Sequence, residues 1–276
     1  DQPCWVPPLI QERNQFLSPD INPFFEHAEV ELFLAVDTDQ SPVGRIALVH
    51  DRNYQELHPE PVGMFGMFES MDDPVISHLL LDKASKWCQE RGFARLLGPM
   101  NLSTNHECGL LVEGFDSPTM FGIPYNPKYY MEHFEAWGLQ KAQDLLAFRL
   151  DPVKIPGYLE KAAIKLKKRN RFAVRSLDLA RFDKELPVLW DIYNSAWDRN
   201  WGFVPMTRKE FEFSAREMKS IIRPEYCLIA EVEGEPAGFS LALPDINRVF
   251  KYLEGRLFPF GWARSLWKKN KIDVYR

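Results

Sequence analysis

Short apolar runs with period-two spacing alternate along this chain with longer stretches whose apolar positions recur every three to four residues, the pattern of strands and helices interleaved. Leu32-Phe33-Leu34-Ala35-Val36, a polar turn, and Pro42-Val43-Gly44-Arg45-Ile46-Ala47-Leu48 read as a β-hairpin. Its second strand opens on a proline, where a ladder donor can be spared. Val62 to Glu69 and Phe93 to Gly98 read as strands on either side of a helix that opens at Asp73-Pro74, stripes Ile76, Leu79, Leu80, Ala84 and Trp87, and stops at Gly92. A second helix runs from Asn126 to Trp137, with Tyr130, Phe134 and Trp137 on one side and Gly138 as its stop, and Gln143 to Leu150 reads as a strand. Leu159, Ala163 and Leu166 stripe a further helix whose other face carries Lys161, Lys165, Lys167 and Lys168, read here as a solvated face. Phe172 to Leu177 is then a strand, and Leu186, Leu189, Trp190, Tyr193 and Trp197 mark a helix. Thr207-Arg208-Lys209-Glu210 has the residues of a capping box.

The first hairpin recurs. Cys227-Leu228-Ile229-Ala230-Glu231, a turn with Gly234, and Pro236-Ala237-Gly238-Phe239-Ser240-Leu241-Ala242 repeat its plan, so the chain reads as two related units. The expected division is 1–151 for the first, 152–171 for a connecting helix and 172–276 for the front of the second. The first hairpin is followed by strands and helices up to Asp151, whereas Arg276 follows soon after the second. Both units are therefore expected to be incomplete, the first at its front and the second at its back. Parallel strands reached through helices, beside antiparallel hairpins, make the expected fold class α/β with a mixed sheet.

Composition narrows the function more than the fold. With 45% hydrophobic and 26% charged residues over 276 positions, the chain can bury a real core. A net charge of -5 gives no general attraction to phosphate backbones or anionic lipid, so neither nucleic acid nor a membrane is an expected partner. The four cysteines are scattered without a C-x-x-C and read as reduced thiols, and no apolar run approaches the roughly 20 residues of a membrane-spanning helix. A cytoplasmic location is the expectation.

The order strand, two helices, hairpin, strand, helix, strand, helix, strand resembles the GNAT (N-acetyltransferase) fold, and Tyr125 to Gly138 is similar to that superfamily's closing segment. The stretches Asn22-Pro-Phe-Phe25, Gly98-Pro-Met-Asn101, Gly109-Leu-Leu-Val-Glu-Gly114 and Asn200-Trp-Gly-Phe-Val-Pro205 resemble an uncharacterised bacterial family of tandem GNAT-like proteins. The resemblance implies an acyltransferase that moves an acetyl or related acyl group from acyl-CoA, as co-substrate, to a small-molecule or peptide amine, with no metal, and it allows a homodimer. GNAT enzymes cradle the coenzyme A diphosphate in a glycine-rich loop at a helix N-terminus. Met67 to Pro74 stands at that position here, with no glycine and three carboxylates, which disfavours a diphosphate in the first unit. Two other readings stay open: a non-catalytic tandem scaffold, and a Fem-like aminoacyl or peptidyl transferase.

Candidate residues cluster in the polar loop Asn101 to Gly109, where His106 or Glu107 could act as a general base and Asn105 could hold a substrate. The same side chains could equally cap the loop's backbone, and His106 with Cys108 lacks the further ligands of a metal site. The resemblance places Tyr129 and Tyr130 near the tyrosine that protonates a departing thiolate in many GNAT enzymes, although tyrosines on an amphipathic helix also serve as core. In the second unit Trp197, Arg199, Asn200 and Trp201 join aromatics to charge where an amine acceptor would be read, or where two helices pack.

Overall fold

The computed structural model describes residues 3–150, 155–167, 171–257, 261 and 272–276. These group into two units, the first comprising Asp1–Asp144, Asn200–Val204 and Ile246–Ile272, the second Leu145–Arg199, Pro205–Asp245 and Asp273–Arg276.

In the first unit a short helix α1 (Ile10–Phe16) precedes the hairpin β1 (Ala28–Val36) and β2 (Pro42–Asp51), then α2 (Arg52–Leu57), β3 (Val62–Ser70), α3 (Pro74–Arg91), β4 (Arg95–Leu97) and α4 (Tyr129–Trp137). The sheet order is β1-β2-β3-β4; the first two pairings are antiparallel, and β3 with β4, reached through α3, is parallel. The mixed sheet follows from these connections, because a tight turn can join only antiparallel neighbours. Both faces of the two central strands are covered, which explains why Val62 to Phe68 is almost continuously apolar. On one face Ile46, Leu48 and Phe65 pack with Leu81, Ala84 and Trp87 of α3 and Phe134 of α4. On the other, Val49 and Met64 meet Phe16, Phe24, Leu102 and Val204.

The ends of α3 form as their residues dictate. The Asp73 carboxylate accepts from Val75 N at 2.8 Å, Pro74 fills the first turn and Gly92 closes the helix at φ 72°. Asn126 serves the preceding loop rather than the helix: its side chain accepts from Leu111 N at 2.7 Å and donates to Leu111 O at 3.2 Å, and α4 begins three residues later.

The second unit holds α5 (Gly157–Lys167), β5 (Phe172–Ser176), α6 (Phe182–Trp197), α7 (Arg208–Met218), β6 (Cys227–Val232) and β7 (Glu235–Leu241); α8 (Asn247–Phe250) returns to the first. Its sheet, β5-β6-β7, is wholly antiparallel. The capping box opens α7: Thr207 Oγ1 accepts from Glu210 N, and the Glu210 carboxylate accepts from Thr207 N at 2.8 Å. Leu177, Phe182, Leu186, Leu189 and Ile229 form the core. One element differs from the sequence expectation. Gln143 to Leu150 forms no strand, and Leu145, Leu146, Phe148 and Leu150 are exposed. Leu145 and Leu146 are adjacent, so this run lacks strict alternation, and no strand among the described residues pairs with it.

Candidate functional site

The site arises where two parallel strands part. β3 and β4 pair only over Val62–Met64 and Arg95–Leu97. One further bond, Met100 N to Phe65 O at 2.8 Å, carries the contact onward. At this crossing a Cβ on Gly66 would lie 1.7 Å from Met100 O, so only glycine lets the two backbones approach. β3 then bulges: Ala47 faces Gly66 but Arg45 faces Glu69, an extra residue that puts Met67 at φ 47°. The Asn101 side chain spans the opened strands, its Oδ1 accepting from Met67 N at 2.8 Å.

Asn101 also fixes Glu107. Its Nδ2 donates to Glu107 Oε2 at 2.9 Å and its backbone N donates to Glu107 O at 2.8 Å. The other carboxylate oxygen of Glu107 accepts from Arg13 Nη2 at 3.2 Å, and Arg13 Nε lies 3.8 Å from Glu12 Oε2. Burial raises the Glu12 carboxyl above its usual range; Arg13 opposes the rise and Glu107 adds to it. The Arg13 guanidinium lies over the Phe16 ring at 5.3 Å.

Glu12, Arg13, Asn101 and Glu107 line part of a cavity of about 440 Å³ within the first unit. The rest of its wall is largely apolar, with Val6, Leu17, Phe33, Ile46, Phe68, Leu110, Phe121 and Ile123. A concave, mostly apolar surface with a few convergent polar groups is the usual form of a small-molecule site. A second polar station on the same cavity is Tyr130 with Glu69. The Tyr130 hydroxyl donates to Glu69 Oε2 at 2.9 Å and accepts from Ser70 N at 2.8 Å. Burial first, and the Glu69 charge second, hold this phenol far above its usual range, so it stays protonated.

Of the residues singled out in the sequence, the structure brings Glu107 and Tyr130 together on this cavity. His106, next to Glu107, is turned the other way: its Nδ1 lies 3.0 Å from Ser103 Oγ, and its ring meets Phe16 and Phe24 edge-on at 5.0 and 5.7 Å. Asn105 ties down a neighbouring segment, donating to Val204 O at 2.8 Å. The Tyr129 hydroxyl donates to Ser70 O at 2.8 Å. Asn200 and Trp201 belong to the first unit and do not line its cavity; Asn200 O accepts from Phe203 N in a turn, and Trp201 is exposed. Trp197 and Arg199 lie at and just beyond the end of α6 in the second unit, both exposed, with Trp197 packed on Tyr193. Glu12 and Arg13 were not singled out, since an acid-base pair on a short helix carries no signal that it meets a loop 94 residues away.

At the turn before α3 the backbone amides are already engaged. Val75 N is taken by the Asp73 carboxylate, and Ile76 N and Ser77 N both donate to Asp73 O. Behind it, Ser77 Oγ lies 2.9 Å from Ser70 Oγ and 2.8 Å from His133 Nδ1, and His133 Nε2 lies 3.7 Å from Asp72. This serine-histidine-aspartate chain is a tether, since Ser77 is fully buried. Among the described residues no group of three or more His, Cys, Asp or Glu could hold a metal ion, and no helix is long and apolar enough to cross a membrane.

No protein-family profile matches the chain, and no solved structure matches it. Two curated relatives do. The protein named bacterial ceramide synthase from Caulobacter vibrioides is 40% identical over 271 residues, which cover 96% of this chain and 69% of that protein. Protein YghO of Escherichia coli is 36% identical over 274 residues, covering 99% of this chain and 70% of YghO. Identity of this extent on both sides shows common descent along nearly the whole chain, and the chain belongs to the family that contains the Caulobacter bacterial ceramide synthase and YghO.

Proposed function

We propose that the protein is an N-acyltransferase that joins an acyl group from a thioester, such as acyl-CoA, to the amine of a long-chain amino alcohol. A ceramide is by definition the amide of such an amine with a fatty acid, and the relative named for its synthesis is 40% identical. The observation that carries the reading is the largely apolar cavity whose lining includes the charged cluster Glu12, Arg13 and Glu107. An alkyl chain suits the wall, and carboxylates suit an amine. The GNAT-like reading of the fold belongs to the same proposal: β3, α3 and β4 supply the strand, helix and splayed parallel strand that such a fold requires.

In this reaction the amine nitrogen attacks the thioester carbonyl, a C–N bond forms, the C–S bond breaks and the proton lost by nitrogen ends on the sulfur. Glu107, held from behind by Asn101, is the carboxylate placed to accept the ammonium proton. Tyr130 keeps its proton and donates a hydrogen bond to the Glu69 carboxylate on the cavity wall. The donor's diphosphate does not fit the occupied amides at the start of α3, and no step is assigned to it there. Those occupied amides favour a second reading, a binding protein of the same fold without transferase activity. Incubating the intact protein with sphinganine and palmitoyl-CoA, with the amide followed by mass spectrometry, tests the choice. Amide formation above the uncatalysed rate supports the transferase; saturable amine binding without amide under any acyl thioester supports the binding protein.

A further inference from the structure

The geometry points to Arg13 as a stand-in for the substrate's ammonium: it holds the carboxylates of the cavity while no amine is bound and swings out when one enters. The inference rests on the proposed amine site and adds an internal competitor to it.

The argument starts from how unequally the charged groups are held. Glu107 is fixed by Asn101 through a side-chain bond of 2.9 Å and a backbone bond of 2.8 Å. Arg13 is not fixed in the same way. It reaches Glu107 through one nitrogen at 3.2 Å and Glu12 only at 3.8 Å, with no bidentate fork, although the guanidinium is built for one. A single contact of 3.2 Å is longer than the roughly 2.7–2.9 Å typical of strong charge-assisted bonds. The guanidinium can therefore leave for solvent on its flexible stem while the carboxylate it touches stays in place.

The charges at this end of the cavity also choose between ligands. Two carboxylates face one guanidinium. An entering ammonium takes over the attraction that Arg13 supplies, whereas a fatty acid or an acyl phosphate adds a third negative group beside Glu12 and Glu107. A neutral alcohol of the same length fills the apolar wall but cannot displace Arg13 from its carboxylates. Glu12 and Glu107 thus sort amines from isosteric alcohols, and Arg13 is the internal cation that an amine must displace to reach them.

Titration calorimetry of the intact protein with hexadecylamine and with hexadecanol, both delivered from cyclodextrin, reads the device directly. In Arg13→Met the competitor is gone, and hexadecylamine should bind up to ~5-fold more tightly, which corresponds to about 1 kcal/mol. Hexadecanol should bind as it does to the wild type. If both ligands bind Arg13→Met more weakly, Arg13 merely shapes the cavity and the inference is overturned. Should Arg13→Met fail to fold, Glu107→Gln gives an independent readout: the preference for amine over alcohol should shrink, and an unchanged preference overturns the inference. An amine effect without acyl transfer in any variant would leave the stand-in intact and sink the transferase; acyl transfer with amine and alcohol responding alike would do the reverse.

Discussion

The two hairpins share a sequence plan and meet different physical demands. In the first, a Cβ on Gly44 would lie 2.9 Å from Glu69 O and from the Leu80 side chain and 3.1 Å from Ile76, so the glycine is required by the close approach of β3 and α3. In the second, a Cβ on Gly238 would meet no atom within 4 Å. The two central strands of the first sheet are covered on both faces, whereas edge strand β5 of the second leaves Phe172 and Val174 exposed and is clasped by Arg175, which reaches Glu185 through two bonds of 2.9 Å and Glu231 at 2.7 Å. A repeated motif therefore reports a shared backbone, and its neighbours decide what each residue does.

The strongest contrast is expected in activity. If the site lies in the first unit, Glu107→Gln should lower kcat for amide formation about 100-fold or more, the usual contribution of a positioned proton acceptor. Lys161→Ala and Lys165→Ala, on the exposed face of α5 in the second unit, should leave kcat unchanged. A steady-state assay of the three variants with sphinganine decides this, and full turnover by Glu107→Gln would remove the site from this cavity.

Stability should separate the glycines next. Gly44→Ala forces a methyl against a backbone carbonyl and a packed helix, and should cost ~1–3 kcal/mol in urea unfolding. Gly238→Ala meets open space and removes freedom from the unfolded chain, so it should be neutral or stabilising by up to about 1 kcal/mol. Equal losses at both positions would mean that the second hairpin is packed as tightly as the first.

The legibility of the sequence follows the same division. Both hairpins, the helix opening at Asp73 and the capping box of α7 were readable because their signals are local: a turn, a cap and a period. Gln143 to Leu150 was misread as a strand because a run of apolar residues does not show whether an edge waits for it. The candidate site was half legible. Glu107 could be singled out as a carboxylate in a polar loop, and Tyr130 through the resemblance, but nothing local shows that His106 turns to Phe16 and Phe24 while its neighbour faces the cavity. Glu12 and Arg13 became site residues only through tertiary contact with Glu107.

An effect of similar size tests the charged clasp. Arg175→Met leaves the Glu185 carboxylate, which is buried, without the fork that satisfies it, and should cost ~1–3 kcal/mol. The ion pair of the first hairpin, Arg45 with Glu69 at 3.6 Å, has both side chains about half exposed, and Arg45→Met should cost no more than about 1 kcal/mol. Equal losses in paired urea melts would show that the second sheet does not depend on its clasp.

The smallest effect expected is also the one whose sign says most about the first unit. Burial raises the Glu12 carboxyl in the folded protein, so its protonated form is favoured by folding. The stability this group contributes is fully present below the usual carboxylate range and is lost as pH rises through the raised folded value. At neutral pH the ionised Glu12 is thus a net cost, held down by Arg13 and increased by Glu107. Glu12→Gln should then melt slightly above the wild type at pH 7, and the difference should close as pH falls below about 4. Arg175→Met should remain destabilising at pH 7, because that charge satisfies a buried partner. A Glu12→Gln variant less stable than wild type at neutral pH would show that Glu12 acts as an anchor for Arg13, and the cavity would be a structural ion-pair site rather than one kept charged for an incoming amine.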